Sequence, residues 1–156
     1  MKQIKTNVMR LLAENNIAYS SYMFELDEAV DGVTMAALMN KPKEAVFKTL
    51  VTVGASGQNY VFVIPVGESL NLKKAAAASG EKSIVMLPQK NLLPLTGYVH
   101  GGCSPIGMKK NFPTFLDETA ILFHSITFSA GKIGFQVEMS TDDFLQFTGA
   151  SLFDLT

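Results

Sequence analysis

Apolar positions along this chain recur with two different periods. Ile4, Val8, Leu11 and Leu12 fall at helical spacing and Asn15-Asn16 offers a stop, which predicts an amphipathic first helix. Residues 17–24 are rich in Tyr and Phe and read as a short strand that runs into an acidic turn at 25–31. A second short helix is predicted over 33–38, closed by Asn40 and Pro42, because proline lacks an amide donor and restricts the residue before it. Residues 45–53 and 60–66 are the most strongly apolar runs, separated by a glycine-containing turn, and together they predict a hairpin. The alanine-rich stretch 69–78 is a helix signal with Gly80 as its stop, since alanine gives up no side-chain entropy in a helix. A brief strand at 83–87 and a helix at 89–95 follow.

The densest glycine cluster, Gly101-Gly102-Cys103-Ser104-Pro105-Ile106-Gly107, predicts a tight loop. Short strands are then expected at 112–116, 120–124, 126–128 and 134–139, with a turn at 129–132. The last helix opens at Thr141-Asp142-Asp143 and closes at Gly149. Helices and strands are interspersed without a regular repeat. The pattern therefore predicts an α/β chain of the α+β kind, a mixed and largely antiparallel sheet flanked by helices. Its 156 residues fit one domain over 1–156.

Composition narrows the function classes. At 47% apolar and 17% charged residues the chain can bury a core and is unlike a disordered segment. No apolar run approaches the roughly 18 residues of a membrane span, and the first residues lack a secretory pattern. One cysteine forms no internal disulfide, and with two histidines it makes a poor zinc set, so a reducing, cytoplasmic setting without a metal or other cofactor is expected. Thirteen basic against fourteen acidic residues give a net charge of −1, so no overall field holds DNA or RNA. Any nucleic-acid contact must rest on local cations, among them Lys73, Lys74, Lys82, Lys109, Lys110 and Lys132, which could equally be a solvated surface.

Three features could carry chemistry. Lys48 stands among Val46, Phe47, Thr49, Leu50 and Val51, and it reads either as an edge-strand lysine reaching for water or as a cation at a pocket floor that holds an oxyanion. The loop 101–107 could turn backbone amides toward a polarised carbonyl or be an ordinary turn. It lacks the endings of a phosphate loop or a dinucleotide fingerprint. Cys103 lies in that loop, but a thiol nucleophile needs a base, and His100 is tightly constrained beside it while His124 is expected on a strand. The acids Glu25, Asp27, Glu28 and Asp31 offer no distinguishable pair.

Four ordered motifs add to this reading: Phe47-Lys48-Thr49-Leu50, the 70–76 stretch, the run from Thr96 through Gly101 to Lys110, and Ser129-Ala130-Gly131-Lys132. Together they resemble the YbaK family, free-standing relatives of the editing domain of prolyl-tRNA synthetases. The resemblance implies a twisted, partly barrel-like sheet and a deacylase that removes cysteine from tRNA(Pro), and possibly from tRNA(Cys). Lys48 would be the functional lysine. Gly101, Gly102, Ser104 and Pro105 would form the substrate-positioning loop, with Thr49 and Ser129 at further pocket positions. Phe24 and Val30 stand near the expected pocket mouth, where the family's pattern carries other residues. Lys73, Lys74, Lys109 and Lys110 are the candidate tRNA contacts. The family's scheme has the cysteinyl thiol attack its own ester and leave as a cyclic thiolactone. Related members hydrolyse alanyl-tRNA with water, and a non-catalytic module that binds tRNA or a synthetase is the alternative from another class. Prolyl-tRNA synthetase is the expected partner.

Overall fold

The computed structural model describes residues 5–156, so Ile4 of the predicted first helix lies outside it. Helix α1 (Asn7–Glu14) is capped by Thr6, whose hydroxyl accepts from the Met9 amide, and buries Val8, Met9 and Leu12. Strand β1 (Ser20–Met23) follows, and helix α2 (Gly32–Leu38) starts where Asp31 accepts from the Thr34 amide. Strands β2 (Phe47–Gly54) and β3 (Asn59–Pro65) form the expected hairpin. Helix α3 (Leu72–Ser79) begins later than alanine content alone suggests, because Asn71 accepts from the Lys73 and Lys74 amides and fixes the start. Strand β4 (Ile84–Met86), a 3-10 turn and the short helix α4 (Leu92–Thr96) lead into the glycine-rich loop. Strands β5 (Thr114–Asp117), β6 (Ser125–Ser129) and β7 (Phe135–Ser140), helix α5 (Thr141–Thr148) and strand β8 (Ser151–Phe153) complete the chain.

One predicted element differs, and one strand is unpredicted. The strand expected over 120–124 is a 3-10 helix (Glu118–Leu122), because Asp117 accepts from both the amide and hydroxyl of Thr119 and turns the chain at once. Ile121 and Leu122 are consequently 63% and 75% exposed, so their apolar character misleads. Strand β8 carries no sequence signal: all three residues are exposed, and it exists through parallel pairing with β5.

The strands form a three-stranded antiparallel sheet in the order β1-β7-β6 and a five-stranded mixed sheet in the order β4-β2-β3-β5-β8. A single parallel bridge between Val46 and Thr127 joins them. The barrel-like character goes no further than this junction. The main core fills the angle between the sheets, where Phe47, Val51, Val61 and Val63 meet Phe128, Val137, Phe144 and the buried face of α1. A second core lies on the other face of the mixed sheet, where Phe62 and Ile64 pack with Ala75 and Ala76 of α3 and with Leu155. Alternation along β2 and β3 sends odd and even residues to these two cores.

A polar clasp fastens α2 to the three-stranded sheet. Lys41, just beyond α2, lies 2.9 Å from Glu138 of β7 and over the ring of Tyr22 of β1, while Tyr22 and Ser125 donate to the same carboxylate. Burial raises the Glu138 pKa, but hydrogen bonds from Ser125, Lys41 and Tyr22 outweigh it and hold the carboxyl below its ordinary range. A depressed carboxyl contributes stability above its unfolded pKa and loses that contribution as pH falls through its folded value. Glu138→Gln is therefore expected to cost about 1–2 kcal/mol at pH 7. In urea titrations the gap to wild type should narrow steadily below pH 4.5, and a gap that stays constant down to pH 3 would refute this account.

Candidate functional site

Strand β2 has one continuous neighbour and one interrupted edge. It pairs with β3 along nearly its whole length, whereas on the other side β4 pairs only with Thr52 to Gly54 and the backbone of β6 is bridged only to Val46, the residue just before the strand. Hydrogen bonds from the Val66 amide to Val46 and from the Gly54 amide to Gln58 put the even-numbered residues of β2 in the bonded pairs with β3. The amide and carbonyl of Thr49 therefore point the opposite way, into the fork where β4 and β6 diverge.

A cavity of about 510 Å³ occupies this fork. Because it wraps around an unpaired strand edge, residues from both faces of β2 line it: Lys48 and Leu50 from one, Phe47, Thr49 and Val51 from the other. Opposite β2 stand His100, Gly101 and Cys103 of the glycine-rich loop, with Ser129 and Gln136 from β6 and β7. Met86, Leu87 and Leu92 close one side, and residues 30–33 with Met35 close the other. Lys48 is half-buried and forms no salt bridge among the described residues. As a lining residue it brings a cation to a largely apolar cavity, where a negative or strongly polar ligand atom would be attracted.

Gly101 is held at φ +86°, and a side-chain carbon there would lie 2.5 Å from the Ala29 Cβ. Only glycine fits this backbone and this close approach between the loop and the segment before α2. The loop is braced internally by the Gly102 amide bonding to Val99 and the Ile106 amide bonding to the Ser104 hydroxyl.

The cavity gathers Lys48, Thr49, Val30, Gly101 and Ser129 from the residues singled out by sequence. Phe24, Gly102, Ser104 and Pro105 lie outside its lining. Phe24 is tied by its amide to the Gly134 carbonyl, Gly102 is buried against the backbone of Lys132 and Ile133, and Ser104 is a buried brace. Pro105 faces a separate hollow of about 470 Å³, lined also by Lys110 and Phe147. Lys73 and Lys74 sit on α3, where Lys74 is paired with Asp154 at 2.8 Å, and Lys109 reaches the Pro94 carbonyl at 3.5 Å. None of the four candidate tRNA lysines lines the main cavity.

Two of the residues that line the cavity carry buried polar atoms that were only half visible in the sequence. Gln136 is 7% exposed and its side-chain carbonyl has no partner among the described residues, and the same holds for the Thr49 hydroxyl. Gln136 lies directly across from Ser129 in the β6–β7 ladder. Its polar character inside an apolar strand was the available signal, but neither periodicity nor motif raised it. A buried acceptor without a partner costs free energy.

Among the described residues, no group of three or more histidine, cysteine or carboxylate side chains could hold a metal ion. Cys103 is the one thiol in the chain, and burial pushes its pKa up to about 12. At neutral pH it is a protonated thiol and a poor nucleophile. The acids of the 25–31 segment add one member to the walls, Asp31, whose carboxylate is committed to capping α2.

Comparison with known proteins identifies the family. A model of the aminoacyl-tRNA editing domain matches residues 28–147. The chain belongs to the aminoacyl-tRNA editing family. It is 43% identical over 155 residues to the Enterococcus faecalis protein EbsC, assigned as a Cys-tRNA(Pro)/Cys-tRNA(Cys) deacylase, covering 99% of this chain and 94% of that protein. Solved structures share the fold at lower identity. One assigned to a trans-editing enzyme for prolyl-tRNA synthetase has a TM-score of 0.83 at 21% identity, with 99% of each chain covered. Another, of a hypothetical protein, has a TM-score of 0.85 at 21% identity, covering 95% of this chain and 97% of that one.

The protonated state of Cys103 is open to direct measurement. At pH 8 a disulfide reagent is expected to label the native thiol at least about a hundredfold more slowly than the unfolded chain, since only the thiolate reacts. Equal rates would mean that the thiol is ionised in the folded protein.

Proposed function

We propose that this protein is a free-standing deacylase that removes cysteine from mischarged tRNA(Pro), with Cys-tRNA(Cys) as a second substrate. The observation that carries this reading is a cavity that joins one cation, Lys48, to a glycine loop while offering no activated protein nucleophile. An enzyme built this way suits a substrate that brings its own.

In the proposed reaction the cysteinyl thiol attacks its own ester carbonyl. A carbon–sulfur bond forms, the bond from carbonyl carbon to ribose oxygen breaks, and the thiol proton ends on the ribose hydroxyl. The products are a cyclic thiolactone and free tRNA. The protein's task is to fold the aminoacyl group into an attacking pose and to stabilise negative charge on the carbonyl oxygen. Lys48 and the amides near Gly101 fit that second role. Val30, Met35 and Leu87 enclose the small side chain. Selectivity follows from chemistry as well as size, because an ester without a thiol in reach has no internal nucleophile.

The net charge of −1 and the dispersal of lysines away from the cavity favour tRNA affinity supplied in part by a partner, for which prolyl-tRNA synthetase is our assignment.

The test is a deacylation panel on tRNA(Pro) carrying Cys, Ala, Ser or Pro. Cysteine is expected to be released at least about tenfold faster than the others, with Lys48→Ala lowering that rate by about a hundredfold or more, the size of effect seen on removing one oxyanion donor. Cys103→Ser should stay within about threefold of wild type. Preferential loss of alanine would favour the hydrolytic branch, and a tRNA that is bound but never deacylated would reduce the protein to a binding module. Inactivity of Cys103→Ser would make the protein thiol the nucleophile and end the substrate-assisted scheme.

A further inference from the structure

Tyr98 does not line the cavity, yet it stands behind two segments that do. Its phenol is buried and donates to the Ile106 carbonyl, closing the neck of the loop that presents Gly101 and Cys103. A side-chain carbon placed on Gly131 would lie 2.8 Å from Tyr98 Cε1, so the ring also packs on the backbone of the turn that follows Ser129. One placed on Gly107 would lie 2.8 Å from the Tyr98 oxygen and 2.9 Å from Asn7 Nδ2, which brings α1 to the same point. One side chain therefore touches the glycine loop, the serine turn and the first helix.

The ring alone could fill the space. The hydroxyl adds a direction, because a buried phenol gives up hydration that the Ile106 carbonyl returns, with the Asn7 amide beside it. Burial, followed by the neighbouring Cys103, pushes the phenol up to about 12 against the opposing hydrogen bond from Asn7, so the group remains a donor at neutral pH.

We propose that the Tyr98 hydroxyl is a positioning group for deacylation: by tying the loop neck to Ile106 beside α1, on a ring held against the serine turn, it sets the placement of the Gly101 backbone relative to Lys48 across the cavity. The proposal rests on the reading that this loop holds the reacting ester. A loop free to shift by about an ångström would still admit aminoacyl-tRNA but would miss the developing oxyanion, an error that can cost about a hundredfold in rate.

Tyr98→Phe keeps the ring and removes the tie. It is expected to lower kcat for cysteinyl-tRNA about tenfold with KM within about twofold. Hydrogen exchange should quicken at residues 99–106 and stay unchanged in β3. Wild-type kcat overturns the proposal, and so does a loss of kcat accompanied by faster exchange throughout the chain, which marks general destabilisation. Should Tyr98→Phe fail to fold, Asn7→Ala carries the test: Asn7 is exposed on α1, and the variant should lose about threefold in kcat, wild-type kcat again overturning the idea. Gly101→Ala separates the two levels. An inactive Gly101→Ala beside a fully active Tyr98→Phe removes only the positioning role, whereas full activity in Gly101→Ala removes the reading of the loop itself.

Discussion

A β-strand that changes neighbours partway along one edge must leave some of its backbone unpaired, and the site of this protein follows from that. Val46 is bridged to the antiparallel sheet and Thr52 to Gly54 are paired with β4, so the stretch between them faces a widening gap. In a closed barrel the gap would be sealed by ladder hydrogen bonds, and in two separate sheets it would be open water. Here a single bridge holds the sheets close enough to enclose the gap without filling it. Lys48 is tolerable in such a place because it is only half-buried and lines the cavity.

The opposite wall depends on a different device. Loops are costly to order, and a loop that must hold backbone amides in fixed directions cannot rely on regular pairing. This one is braced from within by the Ser104 hydroxyl and the Val99 carbonyl, and from behind by Tyr98. Residues such as Ser104 and Gly102 thus brace the loop from outside the cavity lining. Motif and cavity overlap without coinciding: the motif records what the loop needs to keep its shape, and the cavity shows which of its atoms a ligand can reach.

Much of the architecture was legible in the sequence because local and global signals agree. The β2–β3 hairpin, α3 with its Gly80 stop and α5 with its Gly149 stop each combine a hydrophobic period with a cap or turn residue. The signals failed where local pattern and tertiary pairing part company. Apolar residues at 120–122 suggested a strand, yet the Asp117 side chain imposes a turn, and β8 exists only because β5 offers it an edge. At the site, Lys48 and the glycine loop stood out as charge and flexibility in improbable surroundings. Gln136 did not, because one amide in a strand looks like an outward-facing residue until the register sets it against Ser129 inside the cavity. The lysines were the least legible, since spacing along a chain says nothing about which face of the molecule each will occupy.

The two glycines at the cavity rim divide its walls by their capacity to evolve. A side chain at Gly32 would begin 2.4 Å from Val66, and one at Gly101 would begin 2.5 Å from Ala29, so neither position can gain bulk without displacing the backbone behind it. Val30, Val33, Met35 and Met86 have no such restriction: they are flexible or branched apolar groups whose exchange for larger or smaller ones disturbs no hydrogen bond of their side chains. A descendant of this protein adapting to a different amino acid would change on that soft wall and leave the rigid one alone.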